Sequence, residues 1–265
     1  MASVVNRYVI FVIVLAATVP NITCNSGAGK ERPELVIAAA ISLKDVFVDL
    51  GREFESLHNV KIIFNFAGSN SLQRQLENGA PADLFASASV AELDALVGQQ
   101  LILPETRRTF AGNSVVLIGR APPDGGDFGF DDLADQRISH IALGSGGVPV
   151  RIYCEEVLRE LGLWNRLSGK YVFGNNARQV LQYVASGEAE AGLVYSTDAQ
   201  SSPDVRVMQK ADLSWHRPIV YPVAVVSDSH SPELSKDFID FLLSASGRKT
   251  LLGHGFALPS EYRGP

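Results

Sequence analysis

Cysteine and positive charge are both in short supply in this chain. Two cysteines among 265 residues, Cys24 and Cys154, give no basis for a disulfide framework or a thiolate metal cluster. Lys and Arg total 23 against 29 Asp and Glu, for a formal net charge of −6 and a pI near 5.4. That balance excludes a basic surface for nucleic acid and a general field that would draw anions in, so any anion site must be local. The five histidines, His58, His140, His216, His230 and His254, show no metal-ligand spacing and read as surface or loop residues. Long apolar runs are also missing. The longest, Tyr8 to Val19, has twelve residues, too few to span a bilayer. With Arg7 ahead of it, residues 1–24 read as an export signal peptide. Cys24, at its boundary, would anchor the protein if lipidated, although Asn21 and Thr23 depart from a lipoprotein cleavage pattern.

What is present is an alternation of short apolar runs and amphipathic helices, the signature of an α/β architecture with parallel strands. Leu35 to Ala40 is apolar throughout and suits a strand covered on both faces. It runs into a helix whose stripe is Leu43, Val46, Phe47, Leu50, Phe54 and Leu57, at helical spacing. Ser42 then falls at the N-cap, with Asp45 completing a capping-box pattern. Two readings of Ser42 stand: a cap and nothing more, or a hydroxyl that joins free N–H groups in meeting an anion. The pattern repeats. A strand over Val60 to Phe66 leads through Gly68-Ser69 into a helix carrying Leu72 and Leu76 that stops at Gly79, and Pro81 to Ala88 is a third strand before a helix over Val90 to Val97. Residues 113–119 form another strand, followed by a Pro/Gly/Asp loop over 121–129.

A second set of units follows. Ile138 to Leu143 is a strand, and Pro149 opens a helix with Val150, Tyr153, Cys154, Val157, Leu158 and Leu161 on its apolar face, as suits proline in a first helical turn. Cys154 is expected to be a buried free thiol. Lys170 to Phe173 leads through Asn175-Asn176-Ala177 into a helix ending at Gly187; Ala191 to Tyr195 and Ile219 to Val226 are strands, and Pro232 to Leu243 is a closing helix. Ser42 and Ser69 are 27 residues apart, as are Val150 and Ala177, which points to two similarly built halves. In such sheets ligands lie off the carboxyl ends of the strands. Neither Ser42 nor Ser69 sits in a Gly-x-Ser-x-Gly elbow or a Ser-x-x-Lys pair, and no histidine is near either in the chain, so a serine hydrolase or transferase is disfavoured. Gly144-Ser145-Gly146-Gly147 lacks the lysine of a phosphate loop and the full glycine spacing of a dinucleotide turn.

Ala38-Ala39-Ala40-Ile41-Ser42-Leu43, Phe66-Ala67-Gly68-Ser69, Gly79-Ala80-Pro81-Ala82-Asp83-Leu84-Phe85-Ala86-Ser87-Ala88, Gly112-Asn113-Ser114, Val148-Pro149, Gly192-Leu193-Val194-Tyr195-Ser196-Thr197-Asp198-Ala199 and Tyr221-Pro222-Val223-Ala224-Val225 together resemble the periplasmic molybdate-binding proteins of ATP-binding-cassette importers. The match covers nearly all of the chain after about residue 33. The resemblance implies a two-lobed periplasmic binding protein fold, two α/β domains with a hinge and a central ligand cleft. Carried over, lobe 1 is 33–112 plus 222–265 and lobe 2 is 113–221. It implies a monomeric, exported solute receptor and not an enzyme, with molybdate or tungstate as ligand, no other cofactor, and a membrane permease as partner; a receptor for another oxyanion such as sulfate is the alternative. By resemblance the oxyanion contacts fall on Ser42 and Ser69 from one lobe and on Val150, Ala177 and Tyr195 from the other. Arg151 stands where the family usually has glycine, and Asn176-Ala177 replaces an acidic-Val pair. Arg151 is read as a solvated helix face, or else as a cation near the cleft.

Overall fold

The computed structural model describes residues 32–120 and 126–259. The signal region with Cys24, and residues 121–125 of the expected loop, lie outside them.

In chain order the first half runs β1 (Glu34–Ala40), α1 (Lys44–Leu57), β2 (Lys61–Ala67), α2 (Ser69–Glu77), β3 (Leu84–Ala86), α3 (Val90–Gly98) and β4 (Arg108–Asn113). It continues with β5 (Val115–Arg120), β6 (Ile141–Gly144), α4 (Pro149–Glu160), β7 (Tyr171–Gly174), α5 (Ala177–Ala185), β8 (Ala191–Tyr195), α6 (Ser196–Gln200) and β9 (Val205–Lys210). Then come β10 (Ile219–Val225), α7 (Pro232–Leu243) and α8 (Ala245–Gly253). Gly79 and Gly187, at φ of 79° and 80°, follow α2 and α5 in the left-handed conformation that glycine adopts without strain.

The strands form two five-stranded sheets, ordered β2-β1-β3-β10-β4 and β7-β6-β8-β5-β9. The two orders match position for position, so the halves are similarly built, as the repeated 27-residue spacing implied. Each sheet is mixed rather than parallel. β1 pairs parallel with β2 and β3, and β6 with β7 and β8, but β10 and β5 run antiparallel to both of their neighbours. The run expected as one strand over 113–119 is divided: β4 ends at Asn113 in the first sheet and β5 begins at Val115 in the second. Hydrophobic pattern cannot register such a crossing, because the chain stays extended and buried on both sides of it. The chain returns to the first sheet with β10. A register shift falls between Tyr221 and Pro222, where proline has no N–H to give the ladder.

Both faces of each sheet are covered. In β1, Leu35, Ile37 and Ala39 pack into the cluster that holds Phe47, Phe54 and Phe238, while Ala38 faces Leu72, Leu76, Leu93 and Leu96. In β5, Val115 and Leu117 face Tyr153, Cys154 and Val157, whereas Val116 and Ile118 face Val180 and Val184. This two-sided burial explains the unbroken apolar runs. Leu57 is an exception to the expected stripe of α1: it is the last helical residue and is 64% exposed, while His58 stacks on Phe54 at 4.1 Å. Cys154 is fully buried as a free thiol, and burial pushes its pKa up.

Candidate anion-binding site

Ser42, Ser69, Val150, Ala177 and Tyr195 line one small cavity between the two sheets, together with Ala40, Ile41, Gly68, Ala88, Val148 and Pro149. Only about 10 Å³ is open to the centre of a water-sized sphere, room on the order of one water and far below the roughly 300–1,000 Å³ of pockets for larger organic ligands. All five residues are buried, none more than 5% exposed.

Three of the five sit in the first turn of a helix. Ser69 opens α2 after Gly68, Val150 follows Pro149 at the start of α4, and Ala177 opens α5 after its cap Asn176, whose side chain accepts from the Gln179 N–H. First-turn N–H groups have no acceptor within their own helix, and they carry the positive end of the helix dipole. Ser42 differs from expectation. It lies inside a 3₁₀ turn, Ile41–Leu43, ahead of α1, and neither it nor the cap residue Leu43 makes a side-chain cap, so the Ser42–Asp45 capping box does not form. The tighter turn moves the helix cap one residue on, to Leu43, and leaves the Ser42 hydroxyl for other partners.

Those partners are specific. The Tyr221 hydroxyl donates to Ser42 Oγ at 3.3 Å, and Asn113 Nδ2 donates to the Tyr221 oxygen at 3.2 Å and to Thr197 Oγ1 at 2.8 Å. Ser69 Oγ accepts from the Ala88 N–H at 3.0 Å, and the Tyr195 hydroxyl donates to the Ala88 carbonyl at 3.4 Å across the two halves. Desolvation holds the Tyr195 and Tyr221 phenols well above their ordinary pKa, so both remain protonated donors.

Arg178, which the residue pattern did not single out, projects from the first turn of α5 and ties the halves together. Its guanidinium pairs with Asp45 of α1, on the first sheet's side, and its Nε lies 3.1 Å from Asp198 Oδ1 in α6. Asp198 is fully buried, and that burial raises its pKa to about 7 against the opposing pull of Arg178. A cation at a helix N-terminus is disfavoured by the dipole unless acids answer it, a signal in the sequence that could have pointed to Arg178. Arg151 is neither solvated nor part of the cavity lining. Its side chain is 16% exposed, hydrogen-bonds the Gly144 carbonyl at 2.9 Å, and lies 4.6 and 4.8 Å from the Trp164 and Phe173 ring centres, a cation–π sandwich. His216 lies in a loop, one of the two places expected for it, but is buried there, 7% exposed with Nδ1 2.7 Å from the Arg217 carbonyl. No cluster of three or more metal-ligating side chains occurs among the described residues.

Neutral hydroxyls and backbone amides converging from both halves suit a small, fully ionised anion, which needs donors and no acceptor. A two-lobed α/β molecule with such a cavity between its sheets is a solute receptor of the binding-protein class. The sequence profile of the bacterial extracellular solute-binding proteins matches residues 35–257, and the chain belongs to that family. It is 33% identical to the molybdate-binding protein ModA of Haemophilus influenzae over 84% of this chain and 90% of that one, so the resemblance read from the sequence holds. The periplasmic molybdate-binding protein of Azotobacter vinelandii shares the fold, with a TM-score of 0.77 at 22% identity over 85% of this chain and 99% of that one. So does the sulfate-binding protein SubI of Mycobacterium tuberculosis, with a TM-score of 0.74 at 16% identity over 88% and 93%. The fold alone therefore does not choose the anion. No helix among the described residues is long and apolar enough to cross a membrane.

Proposed function

We propose that this protein is the extracytoplasmic receptor for molybdate and tungstate, holding the oxyanion through Ser42, Ser69, Val150, Ala177 and Tyr195 and delivering it, as a monomer, to the permease of an ATP-binding-cassette importer. The observation that carries the reading is the convergence of these five buried residues, from both sheets, on one small cavity. The molybdate-binding name of its H. influenzae relative adds support.

Charge does not discriminate among molybdate, tungstate and sulfate, which are all dianions near neutral pH. Size does. Donors fixed at helix starts set the enclosed volume rigidly, so an anion with shorter metal- or sulfur-to-oxygen bonds leaves some donors out of reach, at about 1.5–3 kcal/mol for each lost charge-assisted bond. Calorimetric titration of the purified chain with molybdate, tungstate, sulfate and phosphate is the test. Tungstate should compete strongly with molybdate, and sulfate and phosphate poorly. Displacement of molybdate by sulfate at comparable concentration would make the protein a general oxyanion receptor instead.

A further inference from the structure

We infer that Tyr221, which does not line the cavity, is a positioning residue of the anion site: it turns the Ser42 hydroxyl proton toward the ligand and so makes the site reject oxyanions that carry a proton. The inference rests on the oxyanion-receptor reading above and deepens it.

The argument follows donors and acceptors from the crossing between the sheets inward. Asn113 ends β4, and its Oδ1 accepts from the Ser114 N–H at 2.9 Å. That contact fixes the amide, so Nδ2 is the atom facing Tyr221 and Thr197. Nδ2 can only donate, so the Tyr221 oxygen accepts from it and keeps a single hydrogen of its own to place. Tyr221 is fully buried, and Ser42 Oγ, 3.3 Å away, is the acceptor it reaches. The reverse arrangement, with Ser42 donating to Tyr221, would strand the tyrosine hydrogen in a dry site and cost the desolvation of an unpaired hydroxyl. Ser42 Oγ is therefore an acceptor toward Tyr221, and its own hydrogen turns to the cavity that Ser42 lines.

Ser69 reaches the same state by another route. Its Oγ accepts from the Ala88 N–H at 3.0 Å, a donor that cannot reverse. Both serine hydroxyls thus face the cavity as donors, with an acceptor lone pair of each already engaged. A fully ionised tetrahedral dianion is satisfied by this arrangement. Hydrogen phosphate, which keeps an O–H at neutral pH, finds for that hydrogen only the one lone pair each serine oxygen has left, beside a hydrogen already aimed at the same anion. The register shift at Tyr221 and Pro222 lies where β10 delivers the ring to this position, as bulges re-aim side chains.

Tyr221→Phe is the natural probe. The ring sits among Phe256, Tyr195 and Phe110, at centroid distances of 5.4, 5.8 and 6.3 Å, and phenylalanine keeps that packing while removing only the hydroxyl. Molybdate and phosphate affinities are measured by calorimetry for the wild type, Tyr221→Phe, Ser42→Ala and the double variant, with thermal unfolding as the check on folding. We expect Tyr221→Phe to weaken molybdate about three- to tenfold and to narrow the gap between molybdate and phosphate, because the freed Ser42 hydroxyl can then accept. In the Ser42→Ala background the same change should have no further effect on either anion. Additive losses, or an unchanged molybdate-to-phosphate ratio, in a wild type that binds molybdate would overturn the inference alone. A wild type that binds no molybdate would overturn the receptor reading and this inference with it.

Discussion

The bridge from Asp45 through Arg178 to Asp198 sets a kinetic expectation. Every residue proposed to hold the anion is buried, so release requires the two halves to part, and parting them breaks the contact between Asp45 on the first side and Arg178 on the second. Asp45→Asn removes the charge of that contact, keeps its shape and leaves the cavity lining untouched. The Asp45 side chain is 49% exposed and that of Arg178 25%, so solvent screens the pair and its worth is near the upper end of the surface range, about 1 kcal/mol. If that energy is present in the closed arrangement and absent once the halves separate, molybdate should dissociate about fivefold faster from Asp45→Asn. Association should change little. A chase of isotope-labelled molybdate with excess tungstate measures the rate directly, and raising the salt should shrink the difference between wild type and variant. An unchanged dissociation rate at low salt would refute the reasoning and leave the bridge as a surface contact without a role in retention. Arg178→Ala should behave differently. It takes the cation from the fully buried Asp198, which must then bind a proton or stay charged and unpaired, so a loss of thermal stability that grows with pH should accompany the faster release.

Three further outcomes are expected. Ser42→Ala and Ser69→Ala should each weaken molybdate about ten- to a hundredfold by calorimetry, the loss of one charge-assisted bond of about 1.5–3 kcal/mol; binding like wild type by both would leave the hydroxyls without a part in recognition. Asp198 has its pKa raised from an ordinary 3.8 to about 7 by burial, so between those values the folded chain holds a proton the unfolded chain has released, and its contribution to stability falls as pH rises; denaturation of wild type and Asp198→Asn across that window should show the wild type losing stability relative to the variant. Gly68→Ala would put a Cβ 2.9 Å from Asn70 Oδ1 and 3.3 Å from the Asn175 carbonyl of the opposite half, and it should weaken anion binding by opposing close approach of the halves, which equal affinities for the two chains would disprove.

The amino-acid sequence by itself determined the α/β class, the repeat of strand, turn and helix in two halves, and the first-turn positions of Ser69, Val150 and Ala177, because hydrophobic periodicity, glycine stops and a first-turn proline are local signals. Tyr195 as a strand end was legible for the same reason. The position of Ser42 was legible but its local role was not: a serine before an apolar stripe reads as a cap, and only packing chose a 3₁₀ turn that hands its hydroxyl to Tyr221. Strand direction, the division of 113–119 between two sheets, the stacking of Arg151 between Trp164 and Phe173 and the burial of His216 were decided by partners distant in the chain. The same holds for the contacts that join the halves. Asp45 and Arg178 are 133 residues apart, and Ser42 and Tyr221 179, and no local pattern records which buried hydroxyl or exposed carboxylate the fold will bring within hydrogen-bonding distance of another.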